Sequence, residues 1–302
     1  MDAKEGRIGE QIKELRKHFG ISQQELCRDI CSQSFISRIE SGDLSPSAHL
    51  LYRISMRLGI DMNFFLESVY VTRMDYVQEV LLQLSEALKK KKFLQIKELV
   101  DYERDNPLFK HGRHKQTLLW YEAIYLYKVQ EDFDQALMHL DEALSMKQTT
   151  LKSYSERDIE ICLTKANIYT ELRDFDYAIP LFKDILTCLN QLPVMRDKVL
   201  LIKLYYNYSR ALYLNGNLGE SIRYAKKGIQ QCNEYRILYG MGELYFQIGM
   251  VHRDRSEHDL SLNAYEKVKM VSQLVEDESL IMMTAAQMET VEQSLKAKCS
   301  NN

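Results

Sequence analysis

Residues 22–42, SQQELCRDICSQSFISRIESG, contain two helix starts and one helix stop within a single short stretch. Ser22-Gln23-Gln24-Glu25 has the S-x-x-E form, in which a serine hydroxyl and a glutamate carboxylate reciprocally satisfy orphan amides of a new helix. Leu26, Cys27 and Ile30 make its apolar face. Ser32 can cap the next helix, with Phe35, Ile36 and Ile39 expected inward and Glu40-Ser41-Gly42 closing it. Upstream, Ile8, Ile12 and Leu15 set an apolar stripe that stops at Gly20, a residue suited to the left-handed end of a helix. Downstream, Ser45-Pro46 is expected to open a fourth helix, the proline at its first position. Residues 7–66 therefore read as five short helices. On the third, Gln33, Ser34, Ser37 and Arg38 share one polar face that the core does not need. Gln and Arg can make bidentate contacts to base edges in the major groove, and Ser adapts to either partner. Gln23, at the start of the preceding helix, would lie over the phosphate backbone.

Four polar residues on a helix are by themselves a solvated face. The spacing of Ile12, Leu15-Arg16, Gly20, Ser22-Gln23, Glu25-Leu26, Ile36-Ser37, Ile39-Glu40, Gly42, Pro46 and Leu58 resembles the phage-repressor type of helix-turn-helix. That resemblance implies that the helix beginning near Gln33 is the recognition helix. Residues 1–66 carry nine Lys and Arg against nine Asp and Glu. Affinity for DNA scales with the phosphates neutralised, so a neutral head needs a second copy on an adjoining half-site. A homodimer on a two-fold related operator is expected.

The whole chain sets the frame. Its 302 residues, 45% hydrophobic and 27% charged with 12 Gly and 4 Pro, suit about two helix-rich domains. The net charge of −3 argues against a generic polyanion binder. No uncharged apolar run approaches the ~20 residues that cross a bilayer. The charged start, Met1 to Arg7, does not read as a secretory signal, so the cytoplasm is the expected address and no membrane partner is expected. Six cysteines without a C-x-x-C pair read as free thiols rather than a disulfide framework or zinc site. No H-E-x-x-H, G-x-S-x-G or P-loop pattern appears, and His111 with His114 reads as a loop pair. Neither an enzyme nor a cofactor or metal is expected.

From about residue 76 a period of about 40 residues organises the sequence. Phe93, Phe133, Phe175, Leu218 and His258 mark corresponding loops, spaced 40, 42, 43 and 40. Bulky residues recur thirteen before the last four markers (Trp120, Cys162, Tyr205, Tyr245), and small ones three after (Ala136, Ala178, Ser221, Ser261). This is the logic of tetratricopeptide-like helix pairs, and the first unit, around Phe93, is the least regular. On the other side of each first helix runs a second stripe: Leu118, Glu122, Tyr125; Glu160, Thr164, Asn167; Lys203, Asn207, Arg210; Glu243, Gln247, Met250. First helices line the concave side of such arrays, so the groove should carry Asn167, Asn207, Arg210 and Gln247. Asn and Gln amides both donate and accept, which suits the backbone of an extended peptide. Tyr121, Tyr206 and Phe246 could wall pockets beside it. The run Lys89 to Lys92 ends a helix, where cations complement the dipole, or could hold a peptide carboxylate.

A repressor-type head, a helical linker and five helix pairs together resemble the peptide-pheromone regulators of the Rgg, Rap, NprR, PlcR and PrgX group, most closely its PlcR-like members. The motifs RIESG (38–42), ANIY (166–169) and ALYL (211–214) carry that likeness. The resemblance implies an all-α transcriptional regulator, dimeric through its repeats, that binds a short signalling peptide in the concave groove (quorum sensing). It places Asn167, Asn207 and Gln247 at peptide-contact positions and Lys89 and Lys91 where basic contacts would lie, while Arg210 and Glu160 give this groove its own charge pattern. The expected organisation is a helix-turn-helix domain at 1–66, a linker helix at 67–80, five right-handed tetratricopeptide-like repeats at 81–275, and a capping helix and tail at 276–302. The alternative is a constitutive DNA-binding regulator whose repeats mediate only dimerisation or protein contacts.

Overall fold

The computed structural model describes residues 5–146, 154–192 and 195–300, and among these there are helices and turns but no strand. Two units divide between Lys90 and Lys91.

The first unit contains α1 (Glu5–His18), α2 (Gln23–Cys27), α3 (Gln33–Glu40), α4 (Ala48–Leu58) and α5 (Met62–Lys89). Ser22 and Glu25 form the expected capping box on α2, and Ser32 caps α3. Ile12, Leu26, Ile36, Ile39, Ile54 and Phe65 are fully buried in one core. Helices α1 and α3 approach so closely that a Cβ at Gly9 would stand 1.7 Å from the Ile39 carbonyl oxygen, so only glycine fits there. Arg57 donates to the carbonyls of Glu25 (2.8 Å) and Arg28 (3.0 Å), and Arg53 to that of Asp29, fixing α4 against the end of α2. Two local expectations fail. Helix α4 starts after Ser47, whose hydroxyl accepts from the Leu50 amide, so Pro46 lies outside the helix. Phe35 is 43% exposed, because Ile36 and Ile39 already fill the space beneath α3. Residues 67–80, read as a linker, lie inside the single helix α5.

The second unit contains α6 (Phe93–Glu103), α7 (Gly112–Tyr125) prolonged by a π-helical turn (Leu126–Gln130), α8 (Phe133–Ser145), α9 (Glu156–Glu171), α10 (Phe175–Asn190), α11 (Lys198–Leu214), α12 (Leu218–Tyr235), α13 (Met241–Asp254), α14 (His258–Leu274) and α15 (Glu278–Ser300). Every marker residue is the first residue of a second helix. Two positions before each lies a residue with left-handed backbone: Lys91, Glu131, Arg173, Gly216 and Ser256, with φ of 54, 53, 59, 77 and 60°, and Glu276 (56°) repeats the turn ahead of α15. The repeat is thus written in the backbone, the irregular first unit included. The small residues Ala136, Ala178, Ser221 and Ser261 are all fully buried. Ser221 meets Ser209 at 3.1 Å, and the Ser261 hydroxyl donates to the Gly249 carbonyl at 2.9 Å, so small faces small where paired helices touch.

Consecutive first helices also touch one another, α7 to α9, α9 to α11, α11 to α13 and α13 to α15, whereas consecutive second helices make no comparable contact. An array packed more tightly along one edge bends toward it, which puts the first helices on the concave side.

Candidate functional site

On the head, the site is the outer face of α3. Gln33, Ser34, Ser37 and Arg38 are all exposed, and the one side-chain hydrogen bond among them joins Ser34 to the capping Ser32 at 2.9 Å. The edge is held rigidly from behind. Glu40, in the last turn of α3, is 6% exposed and receives Arg16 Nε at 2.6 Å and a second Arg16 nitrogen at 2.8 Å. Gln23 Nε2 donates to the same carboxylate at 2.9 Å. Burial alone would push the Glu40 carboxyl up, but the hydrogen bonds from Arg16 and Gln23 hold it below the usual carboxylate range. Gln23 therefore ties the start of α2 to the end of α3, a partnership its expected place over a phosphate does not foreshadow. Phe35, beside the edge, adds an exposed apolar surface that sequence reasoning placed in the core.

On the array, the structure places the polar stripe along α9, α11 and α13. Asn167 is half-buried, and its amide has no hydrogen-bond partner among the described residues. Asn207 Nδ2 donates to the Lys203 carbonyl at 2.9 Å, leaving its oxygen and second N–H for other partners. Gln247 is 5% exposed, and its Nε2 has no partner among the described residues. Arg210 donates to Glu171 on α9 at 3.2 Å, and the Tyr127 hydroxyl donates to the other oxygen of that carboxylate at 3.2 Å. Burial would raise the Glu171 carboxyl, but Arg210 and Tyr127 hold it down. Lys128 lies over the Tyr127 ring, 3.9 Å from its centre, and desolvation lowers its ammonium pKa against the pull of Glu171.

Lys91 shows how these residues close on one another: its charge acts on Lys128 and also on Glu243 of α13. Residues far apart in the chain thus share one electrostatic neighbourhood inside the curve. The left-handed turn singles out Lys91 from its run of four, while Lys89 ends α5 in the first unit.

The stripe fails in one repeat. Glu122 points away from the groove, pairing with Arg104 and at 3.6 Å with Lys97 of α6, and at 3.5 Å with His139 of α8. The π-helical turn after Tyr125 inserts one residue between α7 and its marker. Counting back from Phe133 therefore lands one position off, and the equivalents of Glu160, Thr164 and Asn167 are Thr117, Tyr121 and Ile124. Buried Ala123 then matches Ala166, Ser209 and Gly249 at the helix contact, as the corrected register requires.

A rail of side-chain hydrogen bonds along one rim also escapes the sequence. Tyr127 joins α7 to Glu171 of α9, Glu171 joins Arg210 of α11, Tyr213 of α11 donates to Asp254 of α13 at 2.6 Å, and Arg253 reaches Gln287 of α15. Burial and Asp254 push the Tyr213 hydroxyl up to about 12.

The model of the RNPP family C-terminal domain matches residues 81–284, and a helix-turn-helix model matches residues 12–65. The chain belongs to the RNPP family. With its helix-turn-helix, it is a peptide-responsive transcriptional regulator of that family. This RNPP chain is 27% identical to Bacillus thuringiensis PlcR, solved in complex with the peptide PapR7 and DNA, over 93% of its own length and 99% of the other's, with a TM-score of 0.76. It shares the fold of ComR from S. thermophilus, solved in complex with DNA and its signalling peptide ComS, at 19% identity, over 94% of this chain and 99% of that one, TM-score 0.67. None of the curated proteins matches the chain. No helix among the described residues is long and apolar enough to cross a membrane.

Proposed function

We propose that this RNPP regulator works in the cytoplasm as a homodimer, reads a two-fold related operator through Gln33, Ser34, Ser37 and Arg38 on α3, and is switched by a short signalling peptide in the groove. Lys91, Asn167, Asn207, Arg210 and Gln247 contact the peptide. Gln23 steadies the reading edge through Glu40 and keeps a free amide oxygen and N–H near the DNA backbone. The observation that carries the reading is the Gln247 Nε2, buried on the inner side of the array with no partner among the described residues. An unsatisfied buried amide costs about 1–3 kcal/mol, a cost that a bound peptide carbonyl removes. The RNPP relation and the PlcR structure, which holds both peptide and DNA, support the same assignment.

The switch follows from curvature. A peptide that fits one bend of the array better than others shifts the population toward it, and α5 transmits that bend to the spacing of two recognition helices. The test is to purify the chain from its native host, denature it, and seek a co-bound short peptide by mass spectrometry. The synthetic version of that peptide is then added to the chain with operator DNA. A peptide is expected, and operator affinity should change with its concentration. A chain that carries none, and whose DNA binding ignores host extracts, is a constitutive regulator instead.

A further inference from the structure

Glu243 stands in the first turn of α13, one helical turn before Gln247. Side chains at i and i+4 lie on one face, roughly 6 Å apart. The other carboxylates of the inner face are matched by cations: Glu171 by Arg210 at 3.2 Å, and Glu160 by Arg157 at 2.8 Å. Glu243 is half-buried and forms no ion pair among the described residues. Asp277 adds negative charge nearby, and only the longer-range charge of Lys91 opposes it. Tyr206 and Tyr239 are near enough for the Glu243 charge to raise their hydroxyls, that of Tyr239 to about 12 after the larger effect of burial. Desolvation pushes the Glu243 carboxyl up, its own backbone amide pulling it back.

A carboxylate in the first turn complements the helix dipole, but a solvated one would do that as well. Helix-end electrostatics does not explain a half-buried, unpaired carboxylate one helical turn from an unpartnered amide. Each group asks for something different. The Gln247 N–H needs an acceptor and the Glu243 carboxylate needs a cation. We propose that Glu243 and Gln247 form a subsite for a positively charged group of the peptide, the carboxylate taking an ammonium or guanidinium and the amide a neighbouring backbone carbonyl. The inference rests on the groove being the peptide site, and it specifies what the peptide must carry there. The charge is supplied either by the peptide's own N-terminus or by a Lys or Arg side chain.

Three synthetic heptapeptide pools distinguish the sources: free N-termini without Lys or Arg, acetylated N-termini with Lys and Arg, and acetylated N-termini without either. Each is mixed with the full chain, the protein fraction is isolated by size exclusion, and retained peptides are counted by mass spectrometry. The wild type should enrich one or both charged pools about tenfold over the uncharged pool, as one charge-assisted pair implies. The pool enriched names the source. E243Q should retain peptides but bring that ratio close to one. Equal retention from all pools, or an E243Q chain that keeps the preference, overturns the subsite and leaves the groove reading standing. A wild type that retains no peptide from any pool removes the groove reading and the subsite with it.

Discussion

The two units treat buried polar groups in opposite ways. In the head, the buried Glu40 carboxylate is matched by Arg16 and Gln23, and no buried side-chain polar atom among the described residues goes unpaired. In the array, Gln247 Nε2 on the inner face of α13 is buried without a partner among the described residues. A module that reads a ligand lying outside it can complete its interior and present an exposed edge. A module that encloses its ligand must leave interior groups for the ligand to satisfy.

The comparison breaks most visibly at Glu40. Glu40→Ala leaves the half-buried Arg16 guanidinium without its counter-ion, holding only the Ile21 carbonyl, which should cost about 1.5–3 kcal/mol. Hydrogen exchange should show residues 5–60 losing protection while the array keeps its own. Acid should mimic the change. Because Glu40 titrates below its unfolded value, its contribution is complete above the ordinary carboxylate range and fades as pH falls through the depressed value. Operator binding should therefore fail in acid before the array's circular dichroism changes. Simultaneous loss of both units would mean that the head has no stability of its own.

A matched pair of substitutions sharpens the contrast. Gln23→Leu removes a donor from Glu40 and should destabilise the head by about 1 kcal/mol. Gln247→Leu removes an amide that has nothing to bond and should stabilise the array by about 1 kcal/mol, while abolishing the response of DNA binding to peptide. Denaturant midpoints give the signs, and fluorescence anisotropy on operator DNA gives the response. A Gln247→Leu chain that is destabilised has lost a partner in solution, and the amide is then a structural group.

How much the sequence discloses follows the same division. In the head, helix starts are chemical: Ser22 with Glu25, and Ser32, predict α2 and α3 because a cap needs a particular side chain. Phe35 and Pro46 mislead because both are judged by type alone, and neither type reveals how much room Ile36 leaves or where Ser47 takes over the cap. In the array, Asn167, Asn207 and Gln247 follow from helical periodicity, which holds wherever the helix is regular. Glu122 does not, since a one-residue π insertion leaves no compositional trace. The rim rail from Tyr127 to Gln287 is invisible for a different reason. Each of its links joins different repeats, and an alignment of repeats compares equivalent positions rather than neighbouring ones.

The smallest expected effect probes the turns that carry the repeat. Five of the six residues two positions before a second or capping helix adopt positive φ without being glycine, and Gly216 is the exception. A left-handed backbone costs a residue with a side chain about 1–2 kcal/mol, and glycine loses about 0.5–1 kcal/mol more entropy on folding. Arg173→Gly should therefore stabilise the array by about 0.5 kcal/mol, a rise of about 1–2 °C in Tm. The reverse change tests the same balance. A Cβ at Gly216 would meet nothing within 4 Å, so Gly216→Ala adds no clash and reports backbone strain alone. It should destabilise by about 0.5 kcal/mol. If Arg173→Gly destabilises instead, the arginine side chain contributes more than its backbone costs, and the turn is held by contacts outside the repeat pattern.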